Sequence, residues 1–158
     1  MKGVALRYAS SEDAAEDILQ ESFIRVFKNL KAYKDKGSLG GWIRVITVNT
    51  ALELYRKKKT REKHYNEAQL ESSNEVSEDV LKSMALEDLL KKIQALPTGY
   101  RIVFNLYAIE GFNHQEIAMK LNCAEGTSKS QYARAKKLLQ KMILEEAELE
   151  KKMMKDAR

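Results

Sequence analysis

Lys129, Ser130, Ala133, Arg134 and Lys137 fall on one side of a helix wound from Ala124 onward. Ser128, Tyr132, Ala135, Leu138, Leu139 and Met142 fall on the other. With cations and small polar groups outside and an apolar stripe inside, such a helix can set donors against phosphates and base edges in a major groove. A helical hairpin with a solvated basic face has the same pattern, and the residues just upstream tilt the choice towards the groove reader. Gly111 suits the left-handed residue that closes a helix. Asn113 and Glu116 stand in a capping-box relation, and Ile117, Ala118 and Leu121 supply a buried side. A short turn at Asn122 and Cys123 then separates two helices. Gly111 to Lys137 reads as a helix-turn-helix with a basic second helix.

A second set of reactive side chains lies earlier in the chain. Trp42, Arg44, Asn49, Thr50, Tyr55 and the cations Arg56 to Lys59 share one helix, next to the glycine-rich loop Lys34–Gly41. Cations that follow a backbone, with aromatics and amides that stack on or bond an unstacked base, suit single-stranded nucleic acid. The plainer reading puts Trp42 in the core, Asn49 on a neighbouring helix and the cations in solvent, where the helix dipole favours them. On the helix before it, Asp17, Gln20, Glu21, Ile24, Arg25 and Lys28 lie opposite the stripe Ala15, Ile18, Leu19, Phe23, Val26, Phe27 and Leu30. That polar side is either a docking face or simply solvated. No catalytic set emerges. His64 and His114 are isolated, no Asp, Glu or His group has metal spacing, and no glycine loop follows a strand. No catalytic residue, cofactor or metal is expected.

The elements that position these residues are all helical, since the apolar sets have helical period and none alternates. Ser10 or Ser11 caps the Ala15–Leu30 helix, and a third helix runs from Leu39 or Trp42 to Lys59, apolar over most of its circumference up to Val48. Ser77 caps a fourth with Val80, Met84, Leu86, Leu89, Leu90 and Ile93 inward. Pro97 ends that helix at Leu96, Thr98–Gly99 offers another cap, and Ile102, Val103, Leu106 and Tyr107 form the next stripe. Charge divides the chain. Met1–Lys63 has a net +6, His64–Leu89 a net −6 and Leu90–Arg158 a net +5. Two basic blocks around an acidic one imply two modules that meet polyanions and a spacer that does not. The expected organisation is an all-α protein of two small helical domains, 1–63 and 79–144. A 64–78 linker lets them sit far apart, and a polar tail, 145–158, frays. The single Cys123 excludes an internal disulfide. With no signal peptide or membrane-length apolar run, a cytoplasmic protein is expected, with no membrane insertion.

Three segments, in this order, resemble a bacterial RNA polymerase sigma factor of the extracytoplasmic-function type, within the sigma-70 family. EDILQESFIRVFKNL is similar to the family's polymerase-binding helix, GSLGGWIRVITVNTALELYRKK to its promoter-melting and minus-ten-reading helix, and the stretch from Leu96 to Leu139 to the domain that reads the minus-thirty-five element. The resemblance implies two helical domains, region two and region four, that bind the RNA polymerase core and promoter DNA. It also implies an anti-sigma factor as a partner. Carried over residue by residue, Asp17, Gln20, Glu21 and Arg25 would meet polymerase. Asp35, Lys36, Gly37, Ser38 and Asn49 would hold a base extruded from the non-template strand. Arg56 and Lys57, from the basic cluster read above rather than from the resemblance, are expected as further DNA contacts. Lys129, Ser130, Ala133, Arg134 and Lys136 would read the upstream element, with Lys136 or Lys137 left open as the last contact. The family begins with one further helix, and this sequence is expected to open after it, inside the second. Its Gly-Thr-Val-Arg/Lys-Ser-Arg string becomes Gly126-Thr127-Ser128-Lys129-Ser130-Gln131, so the promoter sequence does not transfer. The alternative reading is a free-standing helix-turn-helix repressor or activator, which leaves the Asp17–Lys59 module without a task.

Overall fold

The computed structural model describes residues 1–34, 37–62 and 86–156. Asp35, Lys36, His64, the linker 64–78, the cap at Ser77 and the core positions Val80 and Met84 lie outside the described residues. Among the described residues every regular element is helical: α1 (Lys2–Tyr8), α2 (Glu12–Asn29), α3 (Leu39–Glu62), α4 (Leu86–Ala95), α5 (Thr98–Phe104), α6 (His114–Leu121) and α7 (Glu125–Asp156). A 3-10 turn follows α2, and α5 widens into a π-helical turn at Asn105–Ile109.

Local chemistry explains the boundaries. Ser11 is extended and its Oγ accepts the Ala14 N–H, while Glu12 and Asp13 meet the positive end of α2. The Ser38 Oγ accepts the Gly41 N–H at the start of α3. The π-helical turn ends at Gly111, whose φ of +78° only glycine adopts without strain. At α5 the cap differs from expectation. Pro97 holds the cap position with no side-chain bond, and Thr98 is already helical. Proline's fixed φ suits the start of a helix, and its carbonyl accepts the Arg101 N–H to open the first turn.

The two sequence halves do not stand apart. Ala5, Tyr8, Ala15, Ile18, Val48, Ala51 and Leu52 from the first half pack in one core with Ile102, Val103, Leu106, Ile117 and Leu121 from the second. A second core joins α4, α5 and α7 through Ile93, Leu96, Tyr100, Phe104, Ala135 and Leu139. The cause is α1. Two turns of helix leave their last carbonyls without intrahelical partners, and side chains of the second half supply donors. Gln94 Nε2 donates to the Leu6 carbonyl at 3.1 Å, Asn105 Nδ2 to Arg7 at 2.7 Å and Arg101 Nε to Tyr8 at 3.3 Å. Arg101 is 2% exposed. It also donates to the carbonyls of Gln94 and Leu96 and to the Thr98 hydroxyl, so helix-terminal carbonyls take the place of a carboxylate.

Three further expectations change. The α2 stripe is buried only at Ala15, Ile18 and Val26, joined by Ser22, whose hydroxyl returns to the Ile18 carbonyl. Phe23, Phe27 and Leu30 are exposed, although Ser22 and Val26 beside them are buried and Arg25 pairs with Glu53 of α3, so the neighbour covers one side of that end and not theirs. On α3, Val45 is exposed. The tail is helical in outline: α7 continues to Asp156, with its earlier part tied to α4 by the Lys92–Glu146 pair and braced by Lys141–Glu145.

Candidate nucleic-acid interface

The helix-turn-helix is built as its residue types demand. The Asn113 side chain accepts the Glu116 N–H at 2.9 Å, and the Glu116 carboxylate accepts the Asn113 N–H at 2.8 Å. Ile117, Ala118 and Leu121 are buried, and Asn122 ends α6 at φ +50°, a conformation asparagine tolerates better than most residues. Ser128, where the family pattern has valine, is fully buried. Its hydroxyl is 2.9 Å from His114 Nδ1, which joins the first turn of α6 to the first turns of α7. His114 also stacks on Tyr107 with centroids 4.4 Å apart, and Tyr107 meets Tyr132 at the same distance. Desolvation, then the Lys129 charge, holds the His114 imidazole below its ordinary range against the pull of Glu125. Both histidine and serine were anonymous in sequence; here they fix the crossing of the two helices.

On the outer side of α7, Lys129, Ser130, Ala133 and Lys137 are exposed and Arg134 is half-buried. Lys129 pairs with Glu125 one turn earlier at 2.7 Å, a surface contact that a phosphate can replace at little cost. Lys136 and Lys137, left open above, differ in exposure. Lys136 is half-buried with its ammonium 5.8 Å from the Tyr132 ring centroid, whereas Lys137 stands on the exposed side.

The α3 set divides. Asn49 is exposed, as are Gly37 and Ser38. Trp42 is half-buried against Tyr33 at 5.4 Å, and the Tyr33 hydroxyl donates to the Gly37 carbonyl, so two aromatics brace the loop end beside the helix. Thr50 belongs to the core, bonded to the Ile46 carbonyl. Arg56 is exposed and donates to the Lys120 carbonyl of α6 at 3.3 Å, and Lys57 pairs with Glu53. Glu53 also accepts Arg25 at 2.6 Å, and hydrogen bonds from Arg25 and then Lys57 hold its carboxyl down to about 2.

On α2, Asp17 and Gln20 are exposed. Glu21 is half-buried and pairs with Arg25 at 2.8 Å. Arg25, expected to face a partner freely, instead ties α2 to α3 through Glu53, because its long side chain reaches across the helix pair. The residues that sequence reasoning passed over are Arg101, Asn105 and Glu110. The one available signal was a cation, Arg101, set inside an otherwise apolar run from Tyr100 to Phe104. Among the described residues no group of three His, Cys, Asp or Glu could hold a metal, and no helix is long and apolar enough to cross a membrane.

An all-helical chain with a basic helix-turn-helix behind a second helical unit defines a class of DNA-binding transcription proteins. The sigma-70 region 2 family matches residues 1–61 and the sigma-70 region 4 family matches residues 86–139. The chain belongs to the sigma-70 family. It is 30% identical to the ECF RNA polymerase sigma factor SigE of Mycolicibacterium smegmatis, over 86% of this chain but only 54% of that protein. It is 28% identical to the ECF RNA polymerase sigma-E factor of Salmonella typhimurium, over 87% of this chain and 77% of that one. Among solved structures it is similar to the sigma factor RpoE of Bartonella quintana in complex with the anti-sigma factor NepR. That match has 25% identity and a TM-score of 0.54, covering 91% of this chain and 89% of the other.

Proposed function

We propose that this protein is a promoter-specificity subunit: it directs core RNA polymerase to promoters and holds the melted strand, without catalytic chemistry, metal or cofactor. The α7 face of Lys129, Ser130, Ala133, Arg134 and Lys137 reads the upstream element as duplex. Gly37, Ser38 and Asn49, with Arg56 and Lys57, hold the non-template strand, and Asp35 and Lys36 complete that loop in sequence. Asp17, Gln20 and Glu21 meet polymerase, while Arg25 sets the α2–α3 packing beneath them. Cytoplasmic work beside polymerase follows, and an anti-sigma factor is the expected antagonist, in keeping with the NepR complex of the Bartonella relative.

The observation that carries this reading is the exposed Asn49 two turns along α3 from the Trp42–Tyr33 brace, on the same chain as a separate basic face on α7. A repressor needs the second and has no use for the first. An asparagine amide offers both a donor and an acceptor to a base edge, and extruding that base costs a few kcal/mol that pocket contacts must offset. Asn49→Ala should leave duplex binding intact and slow open-complex formation with core polymerase, read by permanganate footprinting. Unaffected melting, with transcription falling whenever the protein is added, would instead select the free-standing repressor.

A further inference from the structure

Glu110 is the carboxylate on which the two halves of the molecule converge. It follows the π-helical turn, its side chain is 10% exposed, and it accepts Arg44 Nε at 3.0 Å, Arg44 Nη2 at 3.1 Å and Arg7 Nη2 at 3.4 Å. Arg44 belongs to α3, between Trp42 and Asn49. Its side chain is 40% exposed, so solvent reaches the guanidinium. The seam around this cluster is incompletely satisfied. Arg7 Nε, Tyr8 Oη and Asn105 Oδ1 are buried without hydrogen-bond partners. Each of these atoms would regain water if the seam opened, so the closed arrangement leans on the ion pairs more than a fully paired interface would.

We propose that Glu110 is a releasable latch: it holds Arg44 and keeps the helix-turn-helix half closed on the α3 half until a DNA phosphate takes Arg44 from it. The guanidinium fork fits a carboxylate and a phosphate equally and cannot hold both bidentately. Once a strand lies along α3, Glu110 also faces polyanion charge and is repelled. Closure and strand binding therefore oppose each other through one side chain, and the coupling is reciprocal. The exchange rests on α3 being the strand-binding helix. Opening by loss of Glu110 does not.

The full chain tests this with cysteines at exposed Lys28 and Lys141, in a Cys123→Ser background, labelled for energy transfer. The probe is a mixed-sequence single-stranded DNA dodecamer. Unbound protein should show high transfer, and the dodecamer should lower it. Glu110→Gln should lower transfer without DNA and tighten dodecamer binding about fivefold, since the competent form is no longer a minority. Arg44→Ala should also lower transfer but weaken dodecamer binding. Opposite effects on affinity from the two ends of one ion pair are not produced by simple destabilisation. Unchanged transfer in Glu110→Gln, or weakening of binding by both substitutions, overturns the latch. If circular dichroism shows that Glu110→Gln has lost helix, Glu110→Asp replaces it: partial opening supports the latch and unchanged transfer rejects it. If Asn49→Ala leaves dodecamer binding unchanged while Glu110→Gln still opens the seam, the strand reading of α3 fails and the phosphate exchange with it.

Discussion

The helix-turn-helix and the seam beside it are separated by only a few residues, yet they satisfy their polar groups in opposite ways. In α6 and α7 the partners are near in sequence: Asn113 with Glu116 three residues on, and His114 with Ser128 fourteen on. Across the seam they are 64 to 103 residues apart, from Arg56–Lys120 to Arg7–Glu110, and three buried polar atoms stay unpaired. Local pairing makes a rigid reader that any neighbour can carry about. Distant pairing makes a joint whose closure depends on the whole chain.

The largest expected effect breaks the seam. Arg101→Ala leaves the carbonyls of Tyr8, Gln94 and Leu96 buried without that donor. Hydrogen bonds to a charged group are worth about 1.5–3 kcal/mol net, so urea denaturation should show a loss of about 3 kcal/mol or more. A loss under 1 kcal/mol would mean that water replaces the guanidinium and that the seam is looser than its contacts indicate.

The intermediate effect sharpens the reader. Arg134→Ala should weaken promoter duplex binding by about 1–3 kcal/mol if the side chain reads a base, and Lys152→Ala in the far end of α7 should have almost no effect. Equal losses in a titration at fixed salt would remove the assignment of that face.

The smallest effect is a pH slope. The folded His114 takes a proton less readily than the unfolded chain, whose histidine titrates near 6.5. The unfolded state therefore binds more protons as pH falls from about 6.5, and stability declines until the folded imidazole is also charged. His114→Asn should flatten that part of the stability curve, and a slope unchanged by the substitution would assign it to another group.

The reader was legible in sequence because each of its signals acts within a few residues: Gly111 at a positive φ, the Asn113–Glu116 box, Ile117 and Leu121 on one face. The role of Ser128 was hidden, since a hydroxyl on a buried stripe names no partner. The α2 stripe had the right period, but period says only which residues share a side. It does not say how wide a strip the neighbour covers, so Phe23, Phe27 and Leu30 went to solvent. Arg101, Asn105 and Glu110 carried no pattern because their partners lie in another third of the chain.

The trans-capping of α1 also sets a clock. The carbonyls of Leu6, Arg7 and Tyr8 receive their donors from residues 88, 98 and 93 positions further along. A ribosome adding about 5–20 residues per second needs roughly 5–20 s to cover that distance. During that interval α1 has emerged with its last turn open to water, free to meet anything that offers the same donors before the chain's own side chains arrive.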